Sequence, residues 1–316
     1  MNNQPTSSTP KIAVLMSTLN GIHYLNEQID SILAQQDVQI TIFIRDDGSK
    51  DGTLSLLENY ATRFPQIKVD TGENIGVFAS FMKLLKDAGT GFDMYAFCDQ
   101  DDYWKPDKLF RAAKKIGLQQ NNSLPTIPCM YYSRLEFTDE RLRTIGYSTI
   151  PTTHGFNNAL VQNQATGCTV VLNVAARNLI CSKIPDWALM HDWWCYLVTS
   201  AFGHVCYDDN PGILYRKHKT NVTPATPNFL MELYARTLRF MGHNDIPEKV
   251  TDQARIFLQC FGEKLSGEKH AILKGFLNAR DKALFGRIRY AVNMPVRRNT
   301  PLDNLIMRLL VILGRF

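Results

Sequence analysis

Short apolar runs alternate with segments of helical periodicity over the first hundred residues of the chain. The runs are rich in β-branched and aromatic residues, which favours strands. Between them, apolar residues recur every three or four positions, as in amphipathic helices. This alternation predicts a mostly parallel sheet covered by helices on both faces, with right-handed crossovers. The predicted strands are Lys11–Met16, Ile40–Ile44, Ile67–Val69 and Met94–Cys98, and the intervening helices lie at Leu25–Leu33, Leu54–Ala61 and Phe78–Leu85.

Polar residues follow each predicted strand at its carboxyl end. In a parallel sheet these ends lie side by side along one edge, which is where such sheets bind ligands. The sequence has neither a Walker A nor a G-x-G-x-x-G pattern, which disfavours phosphate-loop and dinucleotide-binding proteins. The residues that should meet at this edge are Thr18 and Asn20, Asp46 and Asp47, Asn74, and Asp99 and Asp101.

The segment Tyr95–Trp104 joins the last of these strands to an acidic cluster. Asp99, Asp101 and Asp102 place three carboxylates within four residues, and such a group needs a counter-ion to offset its mutual repulsion. Mg²⁺ or Mn²⁺ takes oxygen ligands and bridges to phosphate, so a divalent cation would suit the cluster. A solvated acidic turn ahead of a helix is the alternative, and the residues alone leave both interpretations open.

Four segments together resemble a known family. They are Ser17–Gly21 with Tyr24-Leu25, Arg45–Thr53, Asn74–Gly76 and Asp99–Leu109. Residues 11–118 resemble the family 2 glycosyltransferases, which implies the GT-A nucleotide-diphospho-sugar transferase fold and a hexosyltransferase activity.

The resemblance implies roles for the residues at the strand ends. Thr18 and Asn20 would lie against the nucleotide, and Asp46 would face the pyrimidine base. Asp99 would point toward the ribose and Asp101 toward the metal. Helix capping is the alternative for Asp46 and Asp47, although Ser49 or Asp51 could also fill that role. The implied nucleotide-sugar site comprises Thr18, Asn20, Asp46, Asp47, Asn74, Gly76 and Asp99, with Gly167 and Arg216 from later in the chain, and Asp102 is an adjacent candidate.

The middle of the chain has weaker patterns. We expect a strand at Cys129–Phe137, a loop at Thr144–Asn158, and a turn leading into a strand at Gln164–Leu172. By the resemblance, Gly167 would border the sugar and acceptor pocket, whereas an ordinary β-turn glycine is the alternative.

The segment Met190–Trp194 places an acid beside a histidine at the start of an apolar, aromatic helix. Burying such an acid is costly unless it has a partner or a function. Asp192 could cap the helix, but the resemblance implies that it is the general base that takes a proton from a sugar hydroxyl. The His-Asp-Trp-Trp sequence resembles that of bacterial rhamnosyltransferases of surface polysaccharide assembly.

The segment Gly212–Asn221 carries four consecutive basic residues, Arg216 to Lys219. Such a cluster would suit a diphosphate leaving group, with a solvated basic loop as the alternative. The pattern Tyr-Arg-x-His-x-x-Asn resembles the same subgroup, and by that resemblance His218 would complete the metal site with Asp99 and Asp101. Lys217 and Lys219 depart from the usual residues of this pattern.

The last part of the chain is helical and basic. Helical patterns cover 229–241, 249–261 and 271–285, and the segment 269–316 has ten Lys/Arg against two Asp, a net charge of +8 within a total of +5. We divide the chain into a disordered lead-in (1–10), a catalytic domain (11–227) and a helical C-terminal region (228–316). Leu302, Leu305, Ile306, Leu309, Leu310 and Leu313 form one apolar stripe, which predicts either a basic amphipathic helix on an anionic membrane or packing onto the catalytic domain.

The cysteine content and the absence of long apolar runs indicate the cellular compartment of the protein. Seven cysteines without a CxxC spacing favour reduced thiols in a cytosolic protein. The polar segment Met1–Pro10 lacks the apolar core of a secretory signal, and no apolar run is long enough for a membrane span. We therefore expect a cytoplasmic protein with a peripheral contact on the inner face of the plasma membrane, and no nucleic-acid partner.

The resulting hypothesis is an inverting, metal-dependent glycosyltransferase that uses Mg²⁺ or Mn²⁺. The donor would be dTDP-L-rhamnose, with UDP-galactose and UDP-glucose as alternatives, and the acceptor would be a lipid-linked oligosaccharide in O-antigen or capsule assembly. A sugar nucleotidyltransferase would need a glycine-rich loop with Arg and Lys after the first strand, and Ser17–Gly21 has neither cation. An inactive saccharide-binding module is a third possibility, disfavoured by Asp99, Asp101 and Asp192.

Overall fold

The computed structural model describes residues 9–119, 126–218 and 246–316. Its strands are β1 (Lys11–Thr18), β2 (Gln39–Asp46), β3 (Ile67–Thr71), β4 (Met94–Cys98), β5 (Tyr103–Trp104), β6 (Cys129–Ser133), β7 (Glu136–Thr138), β8 (Thr144–Tyr147), β9 (Val171–Asn173), β10 (His204–Asp208) and β11 (Ile213–Arg216). Its helices are α1 (Leu25–Leu33), α2 (Thr53–Arg63), α3 (Val77–Asp87), α4 (Lys108–Gln119), α5 (Phe156–Ala159), α6 (Val174–Ser182), α7 (His191–Phe202), α8 (Ile246–Phe261), α9 (Gly267–Leu277), α10 (Leu284–Val292) and α11 (Pro301–Leu313).

A seven-stranded sheet forms the centre of the molecule, in the order β10-β6-β9-β4-β1-β2-β3. Strands β1 to β4 pair in parallel, which confirms the sheet expected from the first hundred residues. Strand β9 runs antiparallel to both β4 and β6, so the sheet is mixed. Parallel pairing brings the carboxyl ends of β1, β2, β3 and β4 to one edge, as predicted.

The core lies on both faces of this sheet because alternate side chains of β1 point to opposite sides. Ala13 and Leu15 belong to a cluster with α3, α6 and α7, whereas Ile12, Val14 and Met16 belong to a cluster with α1, α2 and α4. All seven cysteines lie in the described ranges and are free thiols, as the sequence predicted.

The predicted strand Cys129–Phe137 is wrong in one respect, because it divides between two sheets. β6 belongs to the central sheet, while β7 joins a second sheet in the order β5-β11-β7-β8. The chain turns between them, where the Arg134 amide donates to the Asp208 carbonyl at 2.8 Å. The predicted loop Thr144–Asn158 also contains β8 and the short α5. The side chains of β8 are largely exposed, so an apolar pattern could not reveal that strand.

The C-terminal helices pack on the same apolar cluster as α3 and α7. The predicted helix 249–261 is confirmed as α8, but the predicted helix 271–285 breaks into α9 and α10 around the largely polar segment 278–282. Of the remaining predictions, the helix 229–241, the domain boundary at 227 and residues 1–8 of the lead-in lie outside the described residues.

Candidate active site

A cleft with a volume of about 460 Å³ opens at the carboxyl edge of the sheet and reaches the start of α7. It brings together residues that are far apart in sequence, as the convergence of strand ends predicted. Eight of the predicted site residues line it: Thr18, Asp47, Asn74, Gly76, Asp99, Asp101, Gly167 and Asp192.

Asp46 lies at the end of β2 and holds the following turn. Its carboxylate accepts hydrogen bonds from the Gly48 and Ser49 amides, at 3.2 and 2.9 Å, and from the Thr18 hydroxyl at 3.0 Å. Thr18 is its direct neighbour across the parallel pair β1 and β2. These contacts anchor the 48–49 turn rather than cap α2.

Asp47 points into the cleft and pairs with Arg45, whose Nε lies 2.8 Å from Oδ1 of Asp47. Both side chains are almost fully buried. Burial raises the pKa of Asp47, while Arg45 and the Ser80 hydroxyl oppose that rise. The ion pair therefore keeps a buried carboxylate in place at the cleft wall.

Asn20 and Gln100 connect the loops that follow the strands at the carboxyl edge of the sheet. The Lys50 amide donates to Oδ1 of Asn20 at 2.9 Å, which ties the loop after β1 to the loop after β2. Gln100 accepts from the Leu19 amide at 2.9 Å and donates to the Leu19 carbonyl at 3.2 Å. Asn74 accepts from the Gly76 amide at 2.9 Å and so shapes the entry to α3.

The acidic cluster contains carboxylates in two different environments. Asp99 faces the cleft, and burial together with the nearby Asp101 and Asp192 raises its pKa to about 7. Asp102 is fully buried, and burial together with the nearby Asp101 and Asp99 raises its pKa well above the usual range. Lys108 is buried over the Trp104 ring, 3.5 Å from the ring centre, and burial lowers its pKa to about 8.

Two sets of donor atoms near this cluster could be considered for a cation. Asp99, Asp102 and Cys168 each place one donor atom within 4.8 Å of the others. Burial raises the pKa of Cys168 well above that of a free thiol, and a neutral thiol suits neither Mg²⁺ nor Mn²⁺. The second set is Asp101 and His218, whose Oδ2 and Nε2 atoms lie 2.8 Å apart. Asp101 lies near enough to Asp99 to raise the pKa of that carboxyl. Carboxylates and an imidazole suit Mn²⁺ or Mg²⁺ better than a neutral thiol does.

Arg216 is buried and holds the loop that carries Asp101. Its guanidinium donates to the carbonyls of Asp101, at 3.0 Å, and Glu140, at 2.6 Å, and pairs with Glu27. It also lies over the Tyr24 ring, 4.5 Å from the centre, and His218 stacks on that ring with centroids 5.1 Å apart. The start of α1 therefore positions both Arg216 and His218. The contact of Arg216 with the nucleotide sugar stays a prediction.

Asp192 lies in the first turn of α7, buried but facing the cleft. Its Oδ1 accepts from the Asn163 side chain at 3.0 Å and from the Trp193 amide at 2.6 Å. Burial raises the pKa of Asp192 to about 6, against the lowering effect of these hydrogen bonds. A carboxylate in this state can accept a proton near neutral pH.

His191 precedes this acid and lies between two phenylalanine rings. It stacks on Phe81, with ring centroids 3.9 Å apart, and meets Phe97 edge-on at 4.9 Å. Burial lowers the pKa of His191 to about 3, so the imidazole is neutral. Among the described residues neither ring nitrogen has a hydrogen-bond partner, and the ring lines the cleft beside Gly167.

Sequence reasoning did not assign a role to several residues that position this site. Tyr24 was part of the matched motif, but its contact with His218 depends on β11 returning to α1. Gln100 lies between Asp99 and Asp101, and its polar side chain alone did not predict its contact with Leu19. For Glu27 and Asn163, no spacing in the sequence marks their contacts with Arg216 and Asp192.

The fold and the cleft together define a glycosyltransferase that uses a nucleotide-sugar donor. The family description "Glycosyl transferase family 2" matches residues 13–171, about half of the chain, and the protein belongs to this family. The predicted GT-A fold is thereby confirmed, and so is the enzyme class.

Individual relatives agree with this assignment. The chain is 29% identical over 228 residues to the dTDP-rhamnosyl transferase RfbG of Shigella flexneri, covering 68% of this chain and 75% of that protein. It is 39% identical over 102 residues to the uncharacterized glycosyltransferase alr2836 of Nostoc sp., covering 32% and 31% respectively. The crystal structure of S. aureus TarS 1–349 in complex with UDP-GlcNAc is similar in fold, with a TM-score of 0.55, 15% identity, and coverage of 96% of this chain and 90% of that one.

Among the described helices, none combines the length and the apolar character needed to cross a membrane.

Proposed function

We propose that the protein is an inverting, metal-dependent glycosyltransferase with Asp192 as its general base. The observation that carries this proposal is the position of Asp192. Its buried carboxylate, with a pKa of about 6, lines the same cleft as Asp99 and Asp101. Donor and acceptor can therefore meet in one cavity.

The proposed reaction is a single in-line displacement. The acceptor hydroxyl oxygen forms a bond to the anomeric carbon as the bond from that carbon to the nucleoside diphosphate breaks. The hydroxyl proton passes to the carboxylate of Asp192, and the electron pair of the broken bond leaves with the diphosphate. One displacement inverts the configuration at the anomeric carbon.

Asp99, Asp101 and His218 are the residues that we propose to hold Mg²⁺ or Mn²⁺. A bound divalent cation would supply charge neutralisation for the departing diphosphate. Arg216 fixes the backbone of Asp101 through its carbonyl, and Tyr24 supports the His218 ring, so the two ligating side chains are held before substrate arrives.

We propose dTDP-L-rhamnose as the donor, with UDP-galactose or UDP-glucose as the alternatives. Similarity to the S. flexneri dTDP-rhamnosyl transferase supports the first of these, together with the His191–Trp194 and Tyr215–His218 sequences. The acceptor in this proposal is a lipid-linked saccharide of O-antigen or capsule assembly. Such an acceptor places the reaction at the cytoplasmic face of the membrane, to which the enzyme would attach peripherally.

A donor panel tests the proposal. The wild-type protein is incubated with dTDP-L-rhamnose, UDP-galactose and UDP-glucose in the presence of Mg²⁺ or Mn²⁺ and a lipid-linked saccharide extract. We expect release of one nucleoside diphosphate, coupled to formation of a product with an inverted anomeric carbon. Retention of configuration would contradict the single displacement, and no consumption of any nucleotide sugar would contradict the proposed activity.

A further inference from the structure

Two neighbouring C-terminal helices turn large apolar side chains toward solvent. On α10, Phe285 is 80% exposed, and on α11, Leu313 is 63% exposed. Exposed apolar surface of this extent, beside cationic residues, is typical of an interaction site. The apolar face of α10–α11 consists of Leu284, Phe285, Ile288 and Val292 from α10 and Leu302, Leu305, Leu309 and Leu313 from α11.

This face is exposed because both helices pack on the protein through their other sides. α11 buries Asp303, Met307 and Val311 instead of most of its predicted apolar stripe. α10 buries Ala291, and the Arg287 guanidinium lies against Gly314 at the end of α11. Of the predicted stripe, Ile306 and Leu310 are half-buried, whereas Leu302, Leu305, Leu309 and Leu313 face outward. α11 therefore packs on the core through one side and exposes most of the predicted stripe on another, and the membrane contact of that stripe stays a prediction.

The charges around this face have one predominant sign. Arg289 and Arg315 are exposed next to it, and the segment 269–316 carries a net charge of +8. Of the two acids in that segment, Asp303 is buried, 4.0 Å from Arg298. Beside α11, a groove of about 460 Å³ is lined by Arg297 and Arg308 together with Leu305 and Pro301. The two guanidinium groups give this groove a charge that suits a phosphate group.

We propose that the apolar face of α10–α11 binds the surface of an anionic lipid bilayer, with its apolar side chains in the interface and its arginines on lipid phosphates. A bilayer offers the required complement of apolar chains below a negatively charged surface. A second copy of this chain would bring like charges together, which disfavours self-association through this face.

This attachment would also orient the active site. The Arg298 guanidinium donates to the Val161 carbonyl at 2.8 Å, and the Asn299 side chain donates to Gln164 at 2.7 Å. The same segment contains Asn163, which holds Asp192. The helices that would bind the membrane are thus joined to the loop that supports the proposed base.

Vesicle sedimentation of the full chain tests this proposal without any substrate, so its outcome is independent of the proposed transferase activity. We expect binding to vesicles of phosphatidylcholine with phosphatidylglycerol, weak binding to phosphatidylcholine alone, and loss of binding as salt rises. The double variant Phe285→Ser/Leu309→Ser should bind anionic vesicles about tenfold more weakly or worse, because it removes apolar groups from the interface. Arg289→Glu should reduce binding to the vesicles that contain phosphatidylglycerol and leave the weak binding to phosphatidylcholine alone unchanged.

Ile145→Ser is the matched control, since Ile145 is 60% exposed on β8, in a different part of the fold. It should bind as the wild type does. All substituted side chains are exposed, and unchanged thermal unfolding would show that the variants fold. The proposal is overturned if the wild type ignores anionic vesicles at low salt, if Ile145→Ser weakens binding as much as the double variant, or if the wild type is a dimer that the double variant makes monomeric.

Discussion

Gly167 lies directly against the ring of His191, and a Cβ at this position would come within 2.6 Å of Nε2 of His191. The ring has little freedom to move because Phe81 and Phe97 enclose it. The Gly167→Ala substitution should therefore displace His191 or the neighbouring Asp192. We expect a loss of transfer of about 10- to 100-fold in kcat/KM, equivalent to ~1–3 kcal/mol of overpacking.

Gly91→Ala is the control for this prediction, because a Cβ at Gly91 meets no atom within 4 Å. Its activity and stability should match those of the wild type. Unchanged activity of Gly167→Ala would show that the close contact with His191 has no part in transfer.

Asp192→Asn should retain donor binding but reduce transfer by ~10²–10⁴-fold, the usual contribution of a general base. Titration calorimetry with the nucleoside diphosphate and steady-state transfer separate the two effects. The control is Asp186→Asn, an exposed acid shortly before α7, which should be fully active. Proportional loss of nucleotide binding and transfer in Asp192→Asn would instead indicate a structural role.

The raised pKa of Asp192 predicts opposite pH effects on activity and on stability. Transfer requires the ionised carboxylate, so the rate should rise with pH and level off above about 6. Because the folded-state pKa of about 6 lies above the usual 3.8, the folded protein binds the proton more tightly than the unfolded chain. The stabilisation that comes from this tighter proton binding is complete below pH 3.8 and is lost as the pH rises through 6. The free energy of unfolding falls by about 3 kcal/mol over this range.

Chemical unfolding of the wild type and Asp192→Asn across this pH range measures that effect. At neutral pH the amide variant should be the more stable protein, since it has no buried charge to desolvate. Equal pH slopes for the two proteins between 4 and 6 would show that Asp192 does not titrate with a raised pKa.

Removal of the divalent cation should abolish transfer. Chelation by EDTA should inactivate the wild type, and added Mg²⁺ or Mn²⁺ should restore it. Asp101→Ala and His218→Ala should remove most turnover and weaken Mn²⁺ binding, measured by electron paramagnetic resonance. Asp107→Ala is the matched control, since its side chain is 54% exposed and forms a surface ion pair with Arg111 on α4. Full activity in EDTA would contradict the metal assignment.

Arg216→Lys should destabilise the site although it keeps the charge. A lysine cannot donate to the carbonyls of Asp101 and Glu140 and to Glu27 at the same time. We expect a loss of about 2–4 kcal/mol in the free energy of unfolding, measured in urea, from unsatisfied buried groups. We also expect weaker Mn²⁺ binding, with activity partly rescued by excess Mn²⁺.

The control is Arg143→Lys, whose side chain is 73% exposed. Its stability should change little, as is usual for surface ion pairs. A role of Arg216 in contacting the diphosphate alone would instead appear as weaker nucleotide binding with unchanged unfolding.

The sequence by itself determined the parallel half of the sheet and the edge where the site lies. Strands buried on both faces must be continuously apolar, and their polar ends must meet where parallel strands finish, so local patterns at Lys11–Met16 and Met94–Cys98 were sufficient. Asp46, Asp99 and Asp101 could be assigned to one edge for the same reason. The start of α7 could also be placed, because its apolar and aromatic run begins directly after Met190.

Only the tertiary structure decided which residues support this site and which surface of α11 is free. Tyr24 contacts His218, and Asn163 contacts Asp192, because the fold brings together segments that are far apart in the sequence. The periodicity of apolar residues carries no information about such contacts. Periodicity likewise shows that one side of 302–313 is apolar, but not whether that side meets the core or the solvent. Met307 and Val311 occupy the core, and this leaves Leu305 and Leu309 outside, because packing against the rest of the fold selects a single face of the helix.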